Sequence, residues 1–493
     1  MMTVEKILGD ALDYGIYLYL EDGELKYRSK KGGFPDQLKA DLKKNRDAVI
    51  RYLKTVESQR DQQVPRFSAL EKVDRDLTLP LSFSQQRLWL LDQIDGGSAH
   101  YNIPCSLKLI GKLNIQAFSQ AFGAILDRHE SLRTCFAVNE NGEPVQVIQA
   151  TVPFAVVMTD LSSLEESERM QLASQRLAEE VSRTFDLSRD VMLRAQLIKV
   201  AADEHILSVT VHHIASDGWS MAILINEFSA LYSAYVQGQD NPLPPLAIQY
   251  ADYAHWQRNW LQGEVLNQQL GYWEQQLQGL PLVHSLPLDY SRPLIQSFVG
   301  DTYSSRIDLA TSQILNQICQ SQGATLFMGL HAAFAVLLSR YSNETDIVIG
   351  TPVANRNQAE VAGLIGFFVN TLVLRSDLSN SPPFIELLNQ SKAMLLDAYD
   401  HQHVSFEQVV ELIQPERSLS HSALFQVMLV LHNNTKGSLE LPGLQLETVA
   451  QGGPRFAKYD LTLEVTEVDQ ELWLHWEYNT DVFEANTIAR MAN

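Results

Sequence analysis

The sequence predicts an α/β (α+β) protein in two parts, a small αββαα head and a large body of alternating strands and amphipathic helices. Three observations lead there. Residues 1–57 hold a complete miniature of periodic segments and breakers. Residues 58–78 are polar, contain Pro65 and lack a sustained apolar period, which marks a linker. From Leu79 onward, short apolar strands alternate with helical patterns.

In the head, VEKILGDALDYG places Val4, Ile7, Leu8, Ala11 and Leu12 at helical spacing and closes at Gly15. IYLYLEDGELKYR then reads as two short strands around a Glu-Asp-Gly turn, a hairpin signal. Beyond Gly32-Gly33, FPDQLKADLKKNRDAVIRYLKTV gives two helices, with Pro35 in a first turn and Asn45 as an N-cap. In the body, HILSVTV (205–211) is a strand. The helix after it carries an apolar face through Met221, Leu224, Ile225, Phe228, Leu231 and Tyr235. NPLPPLAI (241–248) breaks the body near its middle. The last residues, ANTIARMAN, read as a helix without a closing Gly, Pro or polar tail, so a longer polypeptide is expected to continue past Asn493.

Composition narrows the function. The net charge of −21 argues against nucleic acid and anionic membranes as partners, because both demand positive surface. Residues 1–60 carry 12 Lys/Arg against 10 Asp/Glu, and the remainder 26 against 49, so a mildly basic head precedes an acidic body. Cys105, Cys135 and Cys319 are odd in number and far apart, which argues against a disulfide framework or a metal cage and makes a reducing cytoplasm the default. Acidic residues within the first ten positions and the lack of an apolar stretch there lead to the expectation of no signal peptide, and no run of 18 apolar residues is present.

The chemistry concentrates in VTVHHIASDGWSMAILI. A strand ends at two adjacent histidines, a short turn follows, and Asp217-Gly218 opens a helix. Neighbouring strand side chains point to opposite faces, so one of His212 and His213 should face a reaction space while the other is structural. Histidine's ordinary pKa of about 6.5 suits proton transfer near neutrality. An aspartate beside it can hold the loop through an arginine, and a glycine lets backbone N–H groups approach a developing oxyanion.

His212-His213-Ile214-Ala215-Ser216-Asp217-Gly218 resembles the HHxxxDG signature of nonribosomal peptide synthetase condensation domains and their acyltransferase relatives. The resemblance runs from Leu79 to the end through SFSQQRLWLL (82–91), RHESLRTCF (128–136), YADYAHWQR (250–258), IGFFVNTLVLR (365–375), HQHVSFE (401–407) and RSLSHSALFQ (417–426). It implies a two-lobed chloramphenicol-acetyltransferase-like condensation domain, with lobes at 79–255 and 256–493 and the active site in a tunnel between them. The implied reaction is amide formation, by attack of a carrier-bound aminoacyl amine on an upstream carrier-bound acyl or peptidyl thioester. Phosphopantetheine arms of partner carrier domains enter as substrates, and this chain binds no metal and no covalent cofactor of its own. His213 is similar to the residue essential for condensation, and His212 and Asp217 to structural members. Asp217 would be salt-bridged to Arg128 or Arg133, Gly218 would keep the tunnel open, and Asn370 of GFFVNT would support the second lobe by packing or by catalysis. Trp89, Trp219 and Trp256 read as core.

The chain departs from the family's pattern at His403, Ser405 and Ala423, which touches local loops. Residues 1–57 resemble a TubC-type N-terminal docking domain, whose hairpin receives the C-terminal tail of an upstream synthetase subunit. Lys26, Arg28, Lys30 and Lys31 would give that hairpin a basic edge suited to strand addition by an acidic peptide. Two alternatives are a coenzyme A-dependent HHxxxDG acyltransferase of the wax-ester type and a non-catalytic carrier-docking scaffold.

Overall fold

The computed structural model describes residues 69–493 apart from 98, 151–153, 417, 433–440 and 450–454. Within the first 68 residues it describes two strands together with residues 39, 46 and 49. The chain divides into two units, residues 1–68 and 69–493.

In the first unit, Ile16–Glu21 pairs antiparallel with Glu24–Ser29, from Ile16 opposite Ser29 to Glu21 opposite Glu24. This is the hairpin expected from the sequence. Lys26 is exposed, opposite Tyr19, and Arg28 stands opposite Tyr17. Lys30, Lys31 and the three expected helices lie, apart from the isolated positions named above, outside the described residues.

The second unit has two principal sheets. In the five-stranded sheet the order is Leu444–Thr448, Asn102–Gly111, Glu204–His212, Leu193–Ala201, Val157–Asp160. Alternation along these strands sends Leu207, Val209 and Val211 to one face, where the helices Ile115–Arg128 and Gly218–Val236 cover them. Phe118, Phe122 and Phe228 lock those helices together, with ring centroids 4.6–5.3 Å apart. On the opposite face, Ile198, Val200 and Ile206 pack on Ala173 and Leu177 of the helix Glu166–Ser182. The seven-stranded sheet runs Asn370–Asp377, Asp346–Val353, Val427–His432, Leu461–Val468, Glu471–Asn479, Val299–Ile307, Arg455–Phe456. Its apolar face meets the helices Leu326–Ser342 and Ala485–Ala492.

Two boundaries differ from the sequence reading. Residues 69–78, read as the end of a linker, are held against the body. Arg75 pairs with Asp252 at 2.6 Å and with Glu130 at 2.9 Å, and Val73 N–H donates to Asp252 at 2.9 Å. The reason is a buried carboxylate on Asp252 that needs donors, and a periodicity search does not register it. The division at 255/256 falls inside the helix Tyr250–Trp260. Moreover, Leu444–Thr448 crosses over to pair with Asn102–Gly111 of the first sheet, so the second lobe lends the first a strand.

Candidate active site at the His motif

The strand Glu204–His212 ends at His212, and His213–Ala215 turn as a short 3-10 helix. The strand's end, as much as its alternation, therefore sends the two imidazoles apart. His212 is buried, its Nδ1 accepts from Ile214 N–H at 3.2 Å, and its ring lies edge-on to Phe185 and Tyr101 at 5.5 and 6.4 Å. Burial, with lesser contributions from His213 and Arg194, pushes it down to about 3. Its imidazole is therefore held neutral and buried.

His213 is partly buried, and its ring meets the edge of Phe367, from the second lobe, at 4.7 Å. Enclosure holds it below its ordinary value and the charge of Lys458 adds to that, while Asp217 and the carbonyls of His213 and Ser216 oppose. Its Nδ1 is buried without a hydrogen-bond partner among the described residues. A Cβ added at Gly218 would meet nothing within 4 Å, so open space begins beside the motif. Trp219, read as core, is 37% exposed there because it stands on the first, solvent-facing turn of the helix.

Asp217 is fully buried and caps the helix Gly218–Val236. Its Oδ1 accepts from Ser220 N–H at 2.8 Å, from Ser220 Oγ at 2.7 Å and from Arg356 Nη2 at 3.2 Å. Oδ2 accepts from the N–H groups of Phe368 and Val369 at 3.0 and 3.3 Å. Five donors on one carboxylate join the His motif to the second-lobe loop 365–369.

The arginine is Arg356, and this corrects the expectation of Arg128 or Arg133. Arg128 donates from Nε to Glu227 at 2.9 Å, and Arg133 binds the carbonyls of Leu126 and Gln149. Arg128 ends the helix Ile115–Arg128, Arg133 ends the short 3-10 turn Glu130–Arg133 that follows, and both serve nearer acceptors. Arg356 lies 4.1 Å over the Phe368 ring and donates from Nη1 to the carbonyls of Val361 and Leu364 at 2.7 and 2.8 Å. It follows the strand Asp346–Val353 in a loop whose sequence, ANRNQ, has no period to draw attention.

Other holders of loop 365–369 come from motifs already noted, through residues not singled out. His129 Nδ1 accepts from Ile365 N–H at 3.3 Å, while its Nε2 faces Glu227 at 2.7 Å. Ser131 Oγ donates to Ile365 O at 2.7 Å, and Tyr250 OH to Phe367 O at 2.6 Å. Gly366 is required, because a Cβ there would stand 2.0 Å from Tyr250 Cδ2. Asn370 is held in the second lobe by hydrogen bonds: Nδ2 donates to the carbonyls of Gln402 and Val404 at 2.8 and 2.7 Å, and Oδ1 accepts from Phe406 N–H at 3.0 Å. With both ends of its amide engaged, it fixes the 401–407 loop.

A fold of two sheet-and-helix lobes, with a histidine partly open where they meet and a buried aspartate clamping them, defines a condensation domain. The chain belongs to the condensation-domain family of the nonribosomal peptide synthetases: the condensation-domain profile matches residues 76–493, and a TubC N-terminal docking domain matches residues 4–55. Over 426 residues it is 45% identical to one of the linear gramicidin synthase proteins of Brevibacillus parabrevis, spanning 85% of this chain and 8% of that protein. Over 435 residues it is 43% identical to malpinin synthetase of Mortierella alpina, spanning 88% of this chain and 6% of that one. Among solved structures, the X-domain from teicoplanin biosynthesis superposes with a TM-score of 0.77 at 32% identity, covering 86% of this chain and 95% of that one. Condensation domains of these synthetases catalyse amide-bond formation between carrier-bound substrates. Among the described residues, no single helix is long and apolar enough to cross a membrane.

Proposed function

We propose that this chain joins an upstream acyl or peptidyl group to an aminoacyl amine, both delivered as phosphopantetheine thioesters by donor and acceptor carrier proteins in the cytoplasm, and that His213 is the residue that handles the amine's proton. The supporting observation is the division of roles within the motif. His212 is sunk among aromatic rings and Asp217 is saturated by five donors, whereas His213 alone is partly open. An imidazole held neutral at working pH accepts a proton or a hydrogen bond from an attacking amine. An α-amine has a pKa of roughly 7.7–8.0, so a useful fraction is already nucleophilic and alignment supplies much of the remaining barrier reduction. At the start of the helix, the N–H groups of Gly218 and Trp219 have no protein acceptor among the described residues, and they suit an oxyanion. No covalent enzyme intermediate is required.

Single-turnover mass spectrometry on loaded carriers tests this. His213→Ala should lose amide product by about 10²-fold or more while keeping its melting temperature. Product near the native level would remove His213 from the chemistry. A native chain that made no amide from any loaded pair would support the carrier-docking scaffold, and equal use of coenzyme A donors the wax-ester reading.

A further inference from the structure

Three buried polar side chains behind the His motif form one hydrogen-bonded chain. Ser82 caps the helix Phe83–Asp95, Gln85 lies in its first turn, and Tyr250 opens the helix Tyr250–Trp260. Each is only 1% exposed. Tyr250 OH lies 2.6 Å from Phe367 O and 2.8 Å from Ser82 Oγ. A carbonyl can only accept, so Tyr250 donates to Phe367 and the Ser82 hydroxyl donates to Tyr250. Ser82 Oγ in turn accepts from Gln85 N–H at 3.1 Å, and Gln85 Oε1 accepts from Ser82 N–H at 3.1 Å. Gln85 Nε2 then donates to Ile214 O at 3.3 Å.

The two ends of this chain meet the same imidazole. Ile214 follows His213 in the 3-10 turn His213–Ala215, so its carbonyl belongs to the backbone that carries the ring. Phe367 stands against that ring from the second lobe, with centroids 4.7 Å apart and 65° between the planes. Tyr250 also grips the backbone on either side of Phe367. A Cβ at Gly366 would stand 2.0 Å from Tyr250 Cδ2, and the Phe368 ring lies edge-on to Tyr250 at 4.9 Å. His213 and Phe367 are themselves partly open, whereas Tyr250 is buried too deeply to reach a substrate.

We propose that Tyr250 is a positioning residue for the condensation. Through the Phe367 carbonyl, its hydroxyl sets the aromatic wall against which His213 stands. Ser82 and Gln85 tie that setting to the turn that bears His213, so the wall and the imidazole keep one spacing although they come from different lobes. This rests on His213 being the residue that handles the amine's proton. A displacement of about 1 Å at a reacting group can cost about 10²-fold in rate, so a single hydroxyl outside the gap can govern turnover without touching substrate.

Tyr250→Phe supplies the test, because it deletes one oxygen and keeps the ring. Turnover of loaded carriers is measured for the native chain, Tyr250→Phe, His213→Ala and the double variant, each well below its melting temperature. In Tyr250→Phe, kcat should fall about tenfold or more while KM for either carrier stays within about twofold. The double variant should be no slower than His213→Ala alone, since no imidazole is left to misplace. Native kcat in Tyr250→Phe beside a slow His213→Ala would overturn the proposal and leave the reading of His213 standing. A loss carried by KM would overturn it as well. So would the same loss repeated in the double variant, which would show Tyr250 acting on the fold at large. If His213→Ala turns over at the native rate, the reading of His213 fails, and the positioning role fails with it.

Discussion

Asp217 ties together positions about 150 residues apart in sequence, and it does so from a fully buried site. A carboxylate so placed is tolerable only because each oxygen is met by donors. Removing one member of such a pair leaves the other's polarity buried and uncompensated, at a cost of about 3–5 kcal/mol. Asp217→Ala and Arg356→Ala should each destabilise the fold by that order in chemical denaturation. Because the two share one network, the double variant should lose well under the sum of the single losses. Strict additivity would show that Arg356 acts through its contacts with the carbonyls of Val361 and Leu364 rather than through Asp217. His213 differs in kind: its replacement should touch rate and spare stability.

Among the elements, the hairpin Ile16–Glu21 with Glu24–Ser29 carries the proposed docking role. We propose that an upstream subunit's tail adds to it as a strand, with acidic side chains near Lys26 and Arg28. Exposed pairs are worth about 0–1 kcal/mol each and are screened over roughly 8–10 Å at physiological salt. Titrating the full chain with an upstream tail peptide should therefore give modest affinity that falls as salt rises. Lys26→Glu with Arg28→Glu should weaken it several-fold; unchanged binding would move docking to another face. Elements of this kind were legible because their signals are local, an alternation and a two-residue connection in one case, a strand running into His212, Asp217 and a capped helix in the other. What escaped was set by distance. Arg356 reads as an ordinary loop arginine until Asp217 is placed beside it. His129 stood in a recognised motif, yet the adjacent arginines drew the eye because charge pairing is easier to expect than a neutral imidazole accepting Ile365 N–H. Trp219 read as core by its size, whereas its place on the first helical turn leaves it open.

For the whole molecule, several buried histidines set a pH limit. Burial pushes His212 down to about 3 and His331 and His403 to about 4, and His129 is lowered as well. Unfolded, all four would protonate near pH 6.5, so the unfolded state binds more protons between there and about pH 4. Stability is fully present above 6.5 and is lost as the pH falls through that window. Glu477, raised to about 7 mainly by burial, works the other way between pH 4.5 and 7, but it is one group against these four, and His205 and His213 are lowered as well. The melting temperature should drop between pH 7 and 5, and His331→Leu should flatten the slope; a flat native profile would contradict this account. The strand that the second lobe lends the first bears on synthesis as well. Asn102–Gly111 leaves the ribosome about 330 residues before Leu444–Thr448, its edge partner. At roughly 5–20 residues per second that interval is on the order of tens of seconds. Throughout it a long strand with unmet backbone donors waits beside a growing chain, so the nascent first lobe is a client for chaperones until its neighbour's strand arrives to close it.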